Sequence, residues 1–255
     1  MSEQRRPAPL ELIDAGLPAP ARGVFTTRAG GASAPPYDGL DLALHTGDAW
    51  DRVHANRDLL ARQLGLTYRD LVFGKQVHGT GVRVVERSSA RARDRGLAAT
   101  DGLVTGTPGV ALVMMAADCL PVLLADPVGG VVAAAHAGRQ GLVEGVLPEV
   151  VRVMVTQGAD PSRTTATLGP AICDRCYELP QALVDELEAA VPGSASRTAA
   201  GTPSVRLAAA ARRQLTSAGV TVQDVGHCTL MQPERFFSYR RDGVTGRHAG
   251  VVVLG

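Results

Sequence analysis

Two short apolar runs that each end in a reactive side chain constrain this sequence most. Residues 113–117 lead into Asp118 and Cys119, and residues 131–135 lead into His136. Runs of this length, separated by the turn signals Asp-Pro and Gly-Gly, are typical of buried β-strands and not of helices. A hairpin would bring Cys119 and His136 together. The sequence therefore predicts a reactive site near the ends of two neighbouring strands.

Segments with strand and helix patterns fill the rest of the chain. Strands are predicted at 23–27, 71–73, 82–85, 164–168 and 249–254, and helices at 50–64, 142–157, 180–191 and 205–218. Pro148 lies inside the second helical pattern and predicts either a kink or a later start. The arginine-rich residues 88–96 are predicted to form a surface loop, and 192–203 a polar loop. Because no internal repeat or linker is present, we expect one domain.

Composition and charge narrow the class of protein. A chain of 255 residues with 45% hydrophobic content can bury a large core. The net charge of +1 gives no reason to expect nucleic acid or a membrane surface as a partner. The N-terminus has no apolar segment like that of a signal peptide, and no run of 18 apolar residues occurs, so we expect a cytoplasmic protein. Its four cysteines are then better interpreted as free thiols or metal ligands than as disulfides.

The Cys119 and His136 pair allows two exclusive chemistries. The pair could be a nucleophilic thiolate and its general base, with Asp118 or Asp101 orienting the imidazole. With His78 as a third ligand, the same residues would form a Cys-His-His zinc site whose fourth position is left for water or substrate. His78 also follows a strand and precedes a glycine, so all three side chains could meet at one sheet edge. This placement favours the metal site.

Two further features could bind an anion or a metal. Arg28 stands at the mouth of a glycine-rich turn, and Arg240 and Arg241 lie beside aromatic residues, where arginines could hold a phosphate. A solvated surface turn explains the two adjacent arginines equally well. Cys173-Asp-Arg-Cys176 is a lone Cys-x-x-Cys pair, with Cys228 and His227 as the only spare ligands. We interpret this pair as structural or incidental.

Six ordered motifs together resemble one protein family, the YfiH or "laccase domain" proteins. The motifs are Gly-Lys-Gln-Val-His78-Gly, Thr-Asp-Gly-Leu-Val-Thr105, Ala-Asp118-Cys119-Leu-Pro-Val, Ala-His136-Ala-Gly, Leu-Gly169-Pro-Ala-Ile with Cys176-Tyr-Glu178, and Phe237-Ser-Tyr-Arg-Arg-Asp-Gly. The resemblance runs from about Gly23 to the C-terminus. It departs from the common pattern at Arg139-Gln140, where many members have Trp-Arg, at Asp41, commonly Asn, and at Cys173, often Gly.

The resemblance implies a single α/β (α+β) domain with a mixed central β-sheet flanked by helices. We expect residues 1–22 to form a partly ordered leader and residues 23–255 the catalytic domain. The resemblance also implies a zinc site at His78, Cys119 and His136, with copper as the weaker alternative because six histidines are too few for a multicopper oxidase.

The implied activity is phosphorolysis of purine nucleosides (adenosine, inosine and methylthioadenosine) to free base and ribose 1-phosphate, together with adenosine deamination. The alternative is a cysteine hydrolase or amidase that uses a Cys119–His136 dyad, for example in peptidoglycan-precursor editing. We expect Asp118, His136 and Cys119 to be catalytic, and the following residues to contact nucleoside or phosphate: Arg28, Gln76, Tyr177, Arg240 and Arg241. The partners are then small molecules, with no nucleic acid or membrane, and the protein is a monomer or a small homo-oligomer.

Overall fold

The computed structural model describes residues 10–87 and 96–255. The start of the predicted leader and nearly all of the predicted arginine-rich loop lie outside the described residues. Strands are β1 (Leu12–Asp14), β2 (Ala21–Thr26), β3 (Leu71–Phe73), β4 (Val82–Val84), β5 (Gly102–Thr105), β6 (Ala111–Ala116), β7 (Leu120–Asp126), β8 (Val131–Ala137), β9 (Thr165–Leu168), β10 (Ala195–Arg197), β11 (Pro203–Val205), β12 (Thr221–Asp224) and β13 (His248–Leu254). Helices are α1 (Trp50–Gln63), α2 (Arg139–Glu144), α3 (Val146–Thr156), α4 (Gln181–Ala190), α5 (Leu207–Ser217) and α6 (Tyr239–Asp242).

The strands form two large mixed sheets. The five-stranded sheet has the order β1-β2-β13-β6-β3, in which only β3 and β6 are parallel. The six-stranded sheet has the order β12-β9-β7-β8-β5-β4, with parallel pairs at its two edges. The predicted α/β class with mixed sheets and flanking helices is confirmed, with the sheet divided in two.

Alternate residues of one strand belong to different cores, which shows that the sheets pack face to face. On β8, Val132 and Ala134 contact the core between the sheets, whereas Val131, Ala133 and Ala135 face the helices α2 to α5. On β6, Leu112 and Met114 face the same inter-sheet core. The alternate residues Ala111, Val113 and Met115 pack towards α1. The molecule therefore has four layers in the order helix, sheet, sheet, helix. Burial on both faces explains why these strands are apolar throughout.

The pairing of the two apolar runs differs from the predicted hairpin. β6 and β8 are strands as predicted, but they lie in different sheets. β8 pairs with β5 on one side and with β7 on the other, and β7 begins directly after Cys119 and pairs Pro121 with His136. Cys119 therefore stands at the crossing between the sheets. Apolar content on both faces of a strand marks burial, but it does not say which strand lies alongside.

The predicted helix at 142–157 is interrupted at Gly145 and not at Pro148. Gly145 has φ +86°, a left-handed conformation that ends α2 and precedes α3. Pro148 then lies in the first turn of α3, where its missing N–H has no helical acceptor to lose. The predicted polar loop at 192–203 contains β10, which pairs with β11 in a short antiparallel ribbon.

No helix within residues 10–87 and 96–255 combines the length and the apolar character needed to cross a membrane.

Candidate functional site

A cleft of about 430 Å³ opens where the chain passes from β6 in one sheet to β7 in the other. Asp118 and Cys119 form this crossing, and His136 reaches the cleft from the end of β8. His78 comes from the loop between β3 and β4. The Cys-His-His cluster (His78, Cys119 and His136) thus gathers residues from three separate segments at one end of the sheet sandwich.

A buried carboxylate orients His136. Asp101, fully buried just before β5, accepts a hydrogen bond from Nδ1 of His136 at 2.9 Å, and its backbone carbonyl accepts from the His136 N–H at 2.8 Å. Because Nδ1 is used in this way, Nε2 is the nitrogen left for a metal ion or for the Cys119 thiol. Metal-bound histidines usually have a carboxylate partner of this kind.

The same carboxylate holds the loop that carries His78. The backbone N–H groups of Val77, His78 and Gly79 donate to the two Asp101 oxygens at 3.0–3.1 Å. His78 itself has φ +63°, which a non-glycine residue adopts only where its surroundings enforce it. Asp101 therefore fixes both histidines of the cluster, one through its ring and one through its backbone.

The three candidate ligand atoms have separations that suit one tetrahedral ion. They lie within 4.8 Å of one another, and Sγ of Cys119 is 3.7 Å from Nε2 of His78. Typical Zn–S and Zn–N bond lengths place sulfur and nitrogen about 3.6 Å apart across a tetrahedral ion. A Cβ atom at Gly138 would lie 2.9 Å from Cδ2 of His78 and 3.1 Å from Cys119 Sγ. The cluster fits zinc, and the missing side chain at Gly138 leaves it the necessary room.

Electrostatics favour the charged thiolate at Cys119. Burial raises the pKa of this thiol, but the adjacent His136 and His78 rings outweigh burial and lower the pKa to about 6. Burial lowers the pKa of His136, whereas the Cys119 charge and the Asp101 hydrogen bond raise it to about 9. A thiolate is the form that binds a metal and the form that attacks a carbonyl, so both predicted chemistries remain open on this ground.

Asp118 lies beside the cluster, but its carboxylate is bonded elsewhere. One oxygen accepts from the Thr229 hydroxyl at 2.6 Å and the other from the Arg240 N–H at 2.7 Å. Its φ of +100° turns the chain at the crossing between the sheets. Of the two aspartates considered for orienting His136, Asp101 takes that position. The catalytic role predicted for Asp118 stays a prediction.

The residues predicted to contact substrate divide into two groups. Gln76, Tyr177 and Arg240 line the cleft. The Gln76 amide exchanges two hydrogen bonds with the Met115 backbone, at 2.7 and 2.9 Å, and so ties the His78 loop to β6. The guanidinium of Arg240 lies 5.2 Å from the centre of the Tyr177 ring.

The structure does not bring Arg28 or Arg241 to the cleft. Arg28 pairs with Asp38 at 2.8 Å and donates to the Pro233 carbonyl. Arg241 pairs with Asp242 and donates to backbone carbonyls of 229, 230 and 236. Adjacency of Arg240 and Arg241 in the sequence suggested a shared role, but consecutive residues of the short helix α6 point in different directions.

Three cleft residues with polar side chains were not predicted as site residues: His45, Tyr239 and Arg247. Arg247 directly precedes β13, and its backbone N–H donates to the buried Asp41 at 2.8 Å. His45 and Arg247 come from segments about 200 positions apart, joined through Asp41. The position of Arg247 just before a predicted strand was the available signal in the sequence. Several other polar residues also stand next to predicted strands, so this signal did not single out Arg247.

Arg139 and Gln140, which stand where many family members have Trp-Arg, begin α2. Arg139 forms an ion pair with Glu186 of α4 at 2.5 Å, and Gln140 donates to Glu144 at 2.8 Å. The first contact joins α2 to α4 and the second lies within α2, and neither involves a residue of the Cys-His-His cluster.

Comparison with known proteins identifies relatives along almost the whole chain. The family model described as multi-copper polyphenol oxidoreductase laccase matches residues 22–255. Purine nucleoside phosphorylase ORF3 of Streptomyces griseus is 48% identical over 92% of this chain and 94% of that protein. Purine nucleoside phosphorylase YfiH of Shigella flexneri is 39% identical, with coverage of 93% and 96% respectively.

Solved structures give the same result. YlmD from Geobacillus stearothermophilus matches with a TM-score of 0.87 and 33% identity, and the match covers 92% of each chain. The Bacillus licheniformis hypothetical protein YfiH matches with a TM-score of 0.86 and 32% identity, over 92% of this chain and 93% of that one. The two mixed sheets, the flanking helices and the residues matched together show that the chain belongs to the YfiH family of laccase-domain proteins.

Proposed function

We propose that this protein is a zinc-dependent purine nucleoside phosphorylase. It would convert adenosine, inosine or methylthioadenosine and phosphate into free base and ribose 1-phosphate, and would also deaminate adenosine. The names of its relatives support the phosphorylase activity. The observation that carries the proposal is the Cys-His-His cluster in a cleft that also offers two tyrosines and two arginines.

The lining of the cleft suits the three parts of a nucleoside phosphorolysis. A phosphate oxygen forms a bond to C1′ while the bond from C1′ to the base breaks, and the base leaves with the electron pair and takes up a proton. Arg240 and Arg247 can anchor the phosphate. The rings of Tyr177 and Tyr239 can stack on the base. This assignment replaces Arg28 and Arg241 with Arg247 as the second phosphate contact.

Zinc at the cluster would supply Lewis acidity and a bound water of lowered pKa, which suits replacement of the adenine amino group by hydroxyl with release of ammonia. The protein's part is to hold His136 in one tautomer through Asp101 and to keep Cys119 as a thiolate. Copper is the weaker alternative, because the described residues gather only two histidines around Cys119, too few for a trinuclear copper cluster.

Adjacent arginines provide a matched test of the phosphate site. We expect Arg240→Gln to raise KM for phosphate roughly tenfold or more, because a hydrogen bond from a charged group contributes about 1.5–3 kcal/mol. Arg241→Gln should leave that KM almost unchanged, since its guanidinium is held away from the cleft. The assay is adenosine with varied phosphate, followed by chromatography of adenine and ribose 1-phosphate. If neither product forms and only inosine appears, the phosphorylase proposal fails.

A cysteine hydrolase is the second candidate, and one observation favours it. Cys119, His136 and Asp101 have the order of contacts found in a nucleophile, its base and the group that orients the base. An amidase of this kind would keep its activity in the presence of a chelator and lose it when Cys119 is alkylated. A metal-dependent phosphorylase would lose activity in both treatments.

A further inference from the structure

The structure brings together three cysteines that are separate from the Cys-His-His cluster. Cys173 and Cys176 lie on the turn after β9, and Cys228 follows β12. Their three sulfur atoms lie within 4.8 Å of one another. The Cys-x-x-Cys pair that appeared incomplete in the sequence therefore has a third thiol, supplied by the neighbouring parallel strand.

Backbone contacts hold the two cysteine-bearing segments side by side. Ala171 and Cys228 form a parallel bridge, with bonds from the Ala171 N–H to the His227 carbonyl and from the Thr229 N–H to the Ala171 carbonyl. The N–H of Cys173 points at Sγ of Cys228 from 3.4 Å. An N–H aimed at sulfur stabilises a thiolate. The main chain thus holds the two segments that carry the three sulfur ligands next to each other.

Access and composition suit a metal ion better than they suit packing. Cys173 and Cys176 are partly exposed, unlike the fully buried cysteines that serve as small apolar core residues. A cavity of about 330 Å³ next to them is lined by Cys173, Cys228, Asp174 and His227. Water or a small anion entering from this cavity could complete the coordination of an ion held by three sulfurs.

We propose that Cys173, Cys176 and Cys228 form a second metal site, separate from the Cys-His-His cluster, that binds one thiophilic ion, Zn²⁺ or Cu⁺. Thiolate ligands select these ions over hard cations such as Mg²⁺ and Ca²⁺. Loss of three thiol protons on binding leaves a three-thiolate complex, and no oxidant or reductant takes part.

The second site has a structural consequence for the cleft. Each cysteine is next in sequence to a residue that lines the cleft or contacts Asp118 of the cleft. The N–H of Ile172, before Cys173, donates to the Asp118 carbonyl, and the hydroxyl of Thr229, after Cys228, donates to the Asp118 carboxylate. Tyr177, after Cys176, lines the cleft itself. An ion bound by the three sulfurs would link the two segments that follow the paired strands β9 and β12. It would also stabilise the folded state, by an amount that rises with the logarithm of its free concentration once this exceeds Kd.

Metal counting in variants tests the proposal. In the full chain carrying His78→Ala and Cys119→Ala, which removes two ligands of the Cys-His-His cluster, we expect one ion per chain after loading with Zn²⁺ or, under anaerobic reducing conditions, with Cu⁺. Adding Cys228→Ala should reduce that value to none. Retention of zinc alone, copper alone or either ion supports a thiophilic site and identifies its preference. Failure of the double variant to retain either ion would overturn the proposal.

Thiol protection gives a second measurement, whose first comparison keeps all three cysteines of the proposed site. In the same double variant, loading with Zn²⁺ or Cu⁺ should slow alkylation of all three remaining cysteines together, as followed by mass spectrometry, and a chelator should restore it. Cys176→Ala should also release protection of the other two thiols. Unchanged alkylation of Cys173, Cys176 and Cys228 with both ions would contradict the proposal.

Discussion

Gly138 shows how one missing side chain leaves space for the Cys-His-His cluster. The residue has φ −75°, so its backbone conformation is open to alanine, and the cost of a substitution would come from contact with His78 and Cys119. We expect Gly138→Ala to lower zinc content and affinity while the far-ultraviolet circular dichroism stays the same. The measurement is metal per chain together with a competition titration.

Gly106→Ala is the matched control for that substitution. Its added Cβ would meet only the Gly130 carbonyl, at 3.4 Å, far from the cluster. Equal zinc affinity in the two alanine variants would contradict the role assigned to Gly138.

Asp41 is a fully buried carboxylate that joins two distant segments of the chain. It accepts from the Ala43 N–H at 3.0 Å, the Thr46 hydroxyl at 2.9 Å and the Arg247 N–H at 2.8 Å. Burial nevertheless raises the pKa of Asp41 above its ordinary value of 3.8. The folded state therefore holds this proton more tightly than the unfolded state does, and the ionised group disfavours folding at neutral pH.

Urea unfolding of Asp41→Asn at a series of pH values tests whether ionisation of Asp41 disfavours folding. The contribution of Asp41 to wild-type stability should fall as pH rises from below 3.8 through the raised pKa, and the neutral asparagine variant lacks this contribution. We therefore expect the free energy of unfolding of the asparagine variant to rise relative to that of the wild type between acid and neutral pH, as measured by urea unfolding. Asp41→Ala, which removes all three hydrogen bonds, should be about 1–3 kcal/mol less stable than Asp41→Asn at every pH. A variant-to-wild-type difference that does not change with pH would refute the argument.

The loop between β3 and β4 carries His78, and Asp101 controls its conformation. Substitution Asp101→Asn replaces one acceptor oxygen by a donor, so it cannot satisfy the N–H groups of 77–79 and also accept from His136 Nδ1. We expect a roughly 10–100-fold loss of metal affinity, the usual effect of losing a partner that orients a histidine ligand. Hydrogen exchange at the amides of 77–79 should accelerate in the same variant.

Amides of β8 provide the internal control for that experiment. Their ladder with β7 does not involve the Asp101 side chain, so their protection should stay near the wild-type value. Uniform acceleration in both elements would indicate general destabilisation and not release of the His78 loop.

At the scale of the whole molecule, the core between the two sheets holds the ends of the chain together. Leu123 of β7 is fully buried and faces Gly23 of β2 and Gly250 of β13 in the opposite sheet. Leu123→Ala should lower the free energy of unfolding by about 2–5 kcal/mol, because the sheets cannot close the cavity fully. The exposed control Val128→Ala should stay within about 0.5 kcal/mol of wild type in the same urea titration.

Much of the local structure was predictable because burial leaves a pattern in the sequence. The apolar runs at β6 and β8 and the helices α1, α4 and α5 were placed within a few residues. The three members of the Cys-His-His cluster were also predicted, since each stands at or near the end of a strand. Residues 88–95, which contain most of a predicted loop, lie outside the described structure and leave that prediction untested.

What only the tertiary structure decided are the contacts between distant segments. The sequence by itself determined which strands are buried and which residue types can bind a metal. It did not show which strand pairs with β8, or that Asp101 and not Asp118 is the partner of His136. It also did not show that Arg247 lies in the cleft in place of Arg241, or that Cys228 lies beside Cys173 and Cys176. Periodicity reports the environment of a residue, whereas these pairings depend on how the chain crosses between two sheets that are apolar on both faces.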